Sequence, residues 1–156
     1  MKKLLIVLAV IVMAFSAVSC GNNNVEIDLA AVKSDIAAGN LFLDELIQLD
    51  DNIIESKVGL DLSLIKSGEF WMGVGMTGEE YGVFECNSVD DAKAIAAQLE
   101  THLEELHATY KSYESHAPGA VARIEEATVR RAGVYVAYVS ADKYTDAAKI
   151  LDKYFK

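Results

Sequence analysis

The sequence predicts an α+β fold: a two-layer sandwich in which N-terminal helices precede an antiparallel four-stranded sheet built in the order hairpin, helix, hairpin, helix. Three observations predict it. Phe70, Met72, Val74 and Met76 alternate with Trp71, Gly73 and Gly75, which is the period of a strand. Ala92, Ala96, Leu99, Leu103, Leu106, Tyr110 and Tyr113 step by four and three in turn, which is the period of an amphipathic helix. A strand, strand, helix order then recurs between Thr128 and Phe155.

In chain order, Met1-Lys2-Lys3 is a short basic head and Leu4 to Val18 is a nearly unbroken apolar run. That is the length of a signal-peptide core and is short of the roughly 20 apolar residues that cross a bilayer. The run ends in Ala17-Val18-Ser19-Cys20, followed by Gly21-Asn22-Asn23-Asn24. This resembles the bacterial lipobox, although Ala17 stands where leucine is usual. The resemblance implies cleavage before Cys20 and transfer of a diacylglycerol to its thiol, so that the chain is held on the extracytoplasmic face of a membrane. Two or three acyl chains anchor stably where one would be marginal. The expected division is a signal peptide over 1–19, a lipidated cysteine and polar tether over 20–27, and a single domain over 28–156.

Within that domain Asp28 is placed to cap a first helix, with Leu29, Val32 and Ile36 on one stripe and Gly39-Asn40 as its stop. Leu41 to Leu49 reads as a helical or irregular continuation, and Asp51 to Val58 as a short helix ended by Gly59. Thr77-Gly78 reads as a tight hairpin turn between strands starting at Glu69 and at Glu80. Ser88, with Asp91 three positions on, opens the long helix, and Pro118-Gly119 closes the segment. Ala132-Gly133 turns a second hairpin. Asp142 is read as the cap of a terminal helix whose buried stripe is Tyr144, Ala147, Ala148, Leu151, Tyr154 and Phe155.

Charge narrows the function classes. Setting aside Lys2 and Lys3 leaves 12 basic against 24 acidic residues, a net charge of about −12 in the mature part. Such a surface repels phosphate backbones, so nucleic acid is excluded as a partner. Cys86 is the sole mature thiol and reads as a small packed side chain, so no internal disulfide is expected.

Several motifs invite a functional reading. Gly73-Val-Gly-Met-Thr-Gly78 matches G-x-G-x-x-G, but a strand rather than a helix follows it, so no dipole or free N–H ring is aimed at a phosphate. The glycines are better explained as a low place on the sheet. Glu100, Glu104 and His107 lie along one side of the long helix and are the candidate ligands for a single labile cation; a solvated face is the alternative, and His102 and His116 supply no second motif. Arg123, Arg130 and Arg131 form the basic cluster, with Arg130-Arg131 read as a charged strand end that protects a sheet edge and a local anion or carboxylate contact as the alternative. Trp71, with Tyr81 or Tyr135, would floor a shallow aromatic surface if that sheet face is open. If the N-terminal helices cover the face, Trp71 is core. Both placements stand at this point.

The pieces Asp28-Leu-Ala-Ala-Val-Lys-Ser-Asp-Ile36, Glu79-Glu-Tyr-Gly-Val-Phe-Glu85, the helix through Leu99 and Leu106, and Gly133-Val-Tyr-Val-Ala-Tyr-Val-Ser140 cover nearly the whole mature chain. Together they resemble a family of small bacterial lipoproteins known only as domain of unknown function 4358. The resemblance implies location and a compact fold, and it carries over no catalytic, cofactor or binding residue. The function expected is a non-enzymatic binding or interaction module tethered to the membrane by its N-terminal lipid, with an envelope protein or small ligand as partner and no cofactor. The alternative is an enzyme or enzyme accessory acting on cell-wall or extracellular substrate. Its mark would be a deep pocket of converging polar groups.

Overall fold

A computed structural model of the chain describes residues 25–156. The expected signal peptide, Cys20 and the first part of the tether lie outside the described residues. The domain is α+β, with one open antiparallel sheet of five strands: β1 Leu46–Gln48, β2 Ile65–Gly73, β3 Glu80–Cys86, β4 Thr128–Ala132 and β5 Tyr135–Ser140, in the spatial order β1-β2-β3-β5-β4. The four expected strands are present and β1 is the fifth. It comes from the segment expected to be helical or irregular.

Helices cover both faces of the sheet, which corrects the two-layer expectation. On one face Tyr81, Val83, Ala137 and Val139 pack with Val32 and Ile36 of α1 (Leu29–Ala38) and with Ala147 and Leu151 of α5 (Tyr144–Tyr154). On the other, Phe70, Phe84, Val136 and Tyr138 pack with Ala92, Ile95 and Leu99 of α3 (Val89–Ser112). The physical cause is visible in β3 and β5, where apolar residues occupy consecutive rather than alternate positions and both faces must be dry.

The local signals act as expected at most element ends. Asp28 accepts from the N–H groups of Ala30 and Ala31, and Asn40 takes a left-handed φ of 48° just past α1. Ser88 Oγ accepts from Asp91 N–H at 3.1 Å. The short helix α2 (Asp51–Ile53) runs into a π-turn over Ile54–Val58 and stops at Gly59, φ 76°. Three expectations need correction. Asp142 does not cap α5, because its carboxylate is taken by Arg123. The β2–β3 connection spans residues 74–79 rather than a tight turn at Thr77-Gly78. A further helix, α4 (Ala120–Glu125), follows Pro118-Gly119.

Cys86 is buried against α3, as its apolar setting led one to expect. Burial, then the nearby charges of Asp91 and Glu85, pushes its thiol up to about 11. Two units above the ordinary value mean about a hundredfold less thiolate at pH 8. Peptide mapping after treatment with a thiol reagent at pH 8 should therefore find Cys86 unlabelled in the folded chain and labelled in denaturant. Because the folded pKa is the higher one, the thiol's contribution to stability is complete below about pH 9 and is lost as pH rises through about 11. Rapid labelling of Cys86 in the folded chain would show that this side of the core opens.

Candidate functional site

An open concavity beside the expected residues lies on the α1 face, between α1, the segment leading into β1, and β2. It is a groove of about 590 Å³ with Phe42, Trp71 and Tyr81 in its floor, Asp44 and Glu69 in its walls, and Ala30, Lys33 and Ser34 along its helical side. Antiparallel register sets Trp71 directly opposite Tyr81. Their rings stack with centroids 6.0 Å apart and planes 7° apart, and Phe42 lies against the outer side of Tyr81 at 5.9 Å. Offset aromatic contacts of this kind add about 0.5–1.5 kcal/mol beyond area burial and hold the floor rigid. Tyr81 is buried, whereas Trp71 keeps part of its surface exposed.

Glu69 organises the floor. Its Oε1 accepts from Trp71 Nε1 at 2.8 Å and its Oε2 from Lys33 Nζ at 3.0 Å. Burial, then the Glu69 charge and a hydrogen bond to it, pushes the Tyr81 phenol up to about 12, so the hydroxyl stays a donor at any physiological pH. The groove thus offers an aromatic plane, one carboxylate already neutralised by a lysine, and small α1 side chains that leave room. It suits a flat, partly apolar ligand with hydrogen-bonding edges.

The glycines near this groove are explained by Asp44. Its carboxylate lies over them, accepting from Gly75 N–H and from Thr77 Oγ at 3.3 Å, while Oδ1 accepts from Glu45 N–H at 3.0 Å. A Cβ on Gly73 or Gly75 would meet Asp44 Oδ2 at 2.8 Å. The low place expected there is filled by the protein's own carboxylate, and the G-x-G-x-x-G stretch holds an internal anion. Neither open expectation for Trp71 is met in full: α1 roofs one side of the face and leaves Trp71 half-covered.

The other candidate residues are scattered. Tyr135 shares the Trp71 face, but it lies at the far end of the strands, opposite Glu85, in a separate groove with Glu26, Asp28 and Ser67. It does not join Trp71 and Tyr81. Glu100, Glu104 and His107 lie in a shallow depression between α3 and α4, where His107 Nε2 meets Glu125 Oε1 at 3.0 Å. Among the described residues no three His, Cys, Asp or Glu side chains are placed to hold a metal ion. The basic cluster also divides. Arg123 is buried, donating to Asp142 Oδ1 at 3.0–3.1 Å and to the carbonyl of Thr77 at 3.3 Å. Arg130, paired with Asp152 at 2.7 Å, and Arg131 do sit on the edge strand β4.

Sequence reasoning found in His102 only the lack of a second ligand motif and missed that it belongs to the core. His102 is buried under α3, with Nε2 2.6 Å from Glu80 Oε1; the same oxygen accepts the Tyr138 hydroxyl at 2.6 Å. The signal was available, since Ala92, Ile95, Leu99 and His102 step by three, four and three. All three groups are closed off from solvent, so they serve the core and leave no room for a substrate.

Comparison with family models, curated proteins and solved structures finds no match to this chain. Its chemistry has to be read from the site. Among the described residues no helix is long and apolar enough to cross a membrane.

Proposed function

We propose that this chain is an extracytoplasmic lipoprotein, anchored through Cys20, whose domain is a non-enzymatic binding module with its ligand seat in the Phe42–Trp71–Tyr81 groove. One observation carries the seat: the chain's sole tryptophan is left partly exposed at the base of a preformed groove, with its indole N–H already oriented by Glu69. Large rigid aromatics held in such a place are the usual anchors of recognition. The anchor itself is supported by the lipobox-like run ending at Cys20 and by the resemblance to small lipoproteins of unknown function.

Two measurements test the two halves separately. Acyl labelling should mark the wild-type chain and not Cys20→Ala, which should leave the membrane fraction; equal membrane retention of both would remove the anchor. For the groove, a fragment set of amino sugars and aromatic amines is followed by NMR. Shifts confined to Phe42, Trp71, Tyr81 and Lys33 are expected, with affinity falling about tenfold or more in Trp71→Ala. Shifts that map elsewhere, or an unchanged affinity in the variant, would move the binding function away from this groove.

A further inference from the structure

The two edges of the sheet are built differently. At one end β4 carries Arg130, tied to Asp152, and the exposed Arg131, charges that discourage another strand from pairing. At the other end, among the described residues, β1 carries no such guard. Val74 N–H donates to Glu45 O at 3.1 Å and Leu49 N–H to Phe70 O at 2.9 Å. Antiparallel alternation then turns the backbone groups of 45, 47 and 49 toward β2 and those of Leu46 and Gln48 away from the sheet.

Beside this open ladder lies apolar surface. Ile47, 48% exposed, stands opposite Met72, with Val74, 60% exposed, two residues farther along the same face and Met76, 53% exposed, in the loop beyond. Among the described residues α3 packs mainly over β3, β5 and β4, so that Met72 is partly buried against its core while Ile47, Val74 and Met76 stay exposed. The charges that flank β1 in the chain have one sign: Glu45 before it and Asp50 and Asp51 after it are all exposed, and no basic residue lies between Ser34 and Ser56.

We infer that β1 is a docking edge that takes an extended basic–apolar segment of a partner protein by strand addition. The partner strand would bond to the backbone groups of Leu46 and Gln48, lay apolar side chains on Ile47, Met72 and Val74, and place lysine or arginine near Glu45 and Asp50–Asp51. A second copy of this chain is the wrong occupant, because two such edges would bring their acidic flanks together. The inference stands apart from the Trp71 groove and does not depend on it.

The test uses the full chain in detergent and a heptapeptide of alternating lysine and valine, with a matched glutamate–valine peptide as control. Saturable binding of the lysine peptide is expected, with slowed hydrogen exchange at the Leu46 and Gln48 amides. Gln48→Pro removes an outward N–H without touching the β1–β2 bonds and should weaken binding about tenfold or more. Ile47→Lys, which keeps every backbone donor, should do the same and serves if the proline variant fails to fold. Absence of binding, equal binding of the glutamate peptide, or binding without protection at those two amides would overturn the inference. Sedimentation showing a dimer that Gln48→Pro disperses would overturn it in favour of self-association.

Discussion

Glu79→Ala is expected to destabilise the protein by about 3–5 kcal/mol, a cost of the size seen when a buried charge partner is removed. Glu79 is fully buried just before β3, and its carboxylate accepts from the N–H groups of Leu43 (3.0 Å), Asp44 (2.9 Å) and Asp142 (3.0 Å). It thereby ties the segment entering β1 to the one entering α5, and Arg123 Nε stands 4.0 Å from its Oε1. Alanine would leave three backbone donors without an acceptor and Arg123 without half of its counter-charge. Glu79→Gln keeps one acceptor but points an amide NH₂ at donors, so it should cost less than alanine and more than nothing. Urea denaturation of both variants checks the ordering. Because Leu43 and Asp44 lead into the groove and β1, the alanine variant should also lose amide protection at Ile47 before global unfolding. A loss below about 1 kcal/mol would mean that these loops hold together without the carboxylate.

The second large effect lies on the opposite face. Glu80→Leu is expected to cost about 3–5 kcal/mol, since it strands the Tyr138 hydroxyl and the His102 Nε2–H in a dry core. Burial, then the charge of Glu80, holds the Tyr138 phenol well above its ordinary value, so the hydroxyl remains a donor throughout the useful pH range. A combined variant separates unpaired polar groups from lost shape. Glu80→Leu with His102→Leu and Tyr138→Phe removes every polar member at once, and it should recover most of the loss because nothing is left unsatisfied. A triple variant no more stable than Glu80→Leu would show that the cost was one of shape rather than of unpaired polar groups.

These two glutamates also show where sequence reading stops. Asp28, Ser88, Gly59 and Gly133 act on backbone groups within a few residues, so their caps and turns were legible from local pattern alone. Glu80 was legible as the start of a strand, Glu79 as the residue before it, and both as nothing more. The partners of Glu80 lie 22 and 58 positions away, and those of Glu79 lie 35 to 63 away. No periodicity reports an acceptor at that distance. The same holds for β1, whose residues have no strand signature of their own and become a strand when Glu79 fixes Leu43 and Asp44 and β2 supplies the ladder.

The candidate site divides along the same line. That Trp71 and Tyr81 share a face was decided by the register that the 74–79 connection sets, since alternation orders the faces within a strand and not between strands; that Gly73 and Gly75 needed a steric reason followed from their lack of a side chain. Which group fills the space above those glycines was decided by Asp44, arriving from a segment about thirty residues earlier. How far α1 covers Trp71 was likewise decided by packing of helix against sheet. By itself the sequence determined the α+β class, the two hairpins, the long capped helix, the acidic character and the expectation of a lipid at Cys20, because each rests on composition or on neighbours a few residues apart. Only the tertiary structure decided the fifth strand, the second helical layer, the buried glutamates, the half-open groove and the unguarded edge. Each of these depends on which distant segments meet, and hydrogen-bond satisfaction and close packing settle that only when the whole chain is in place.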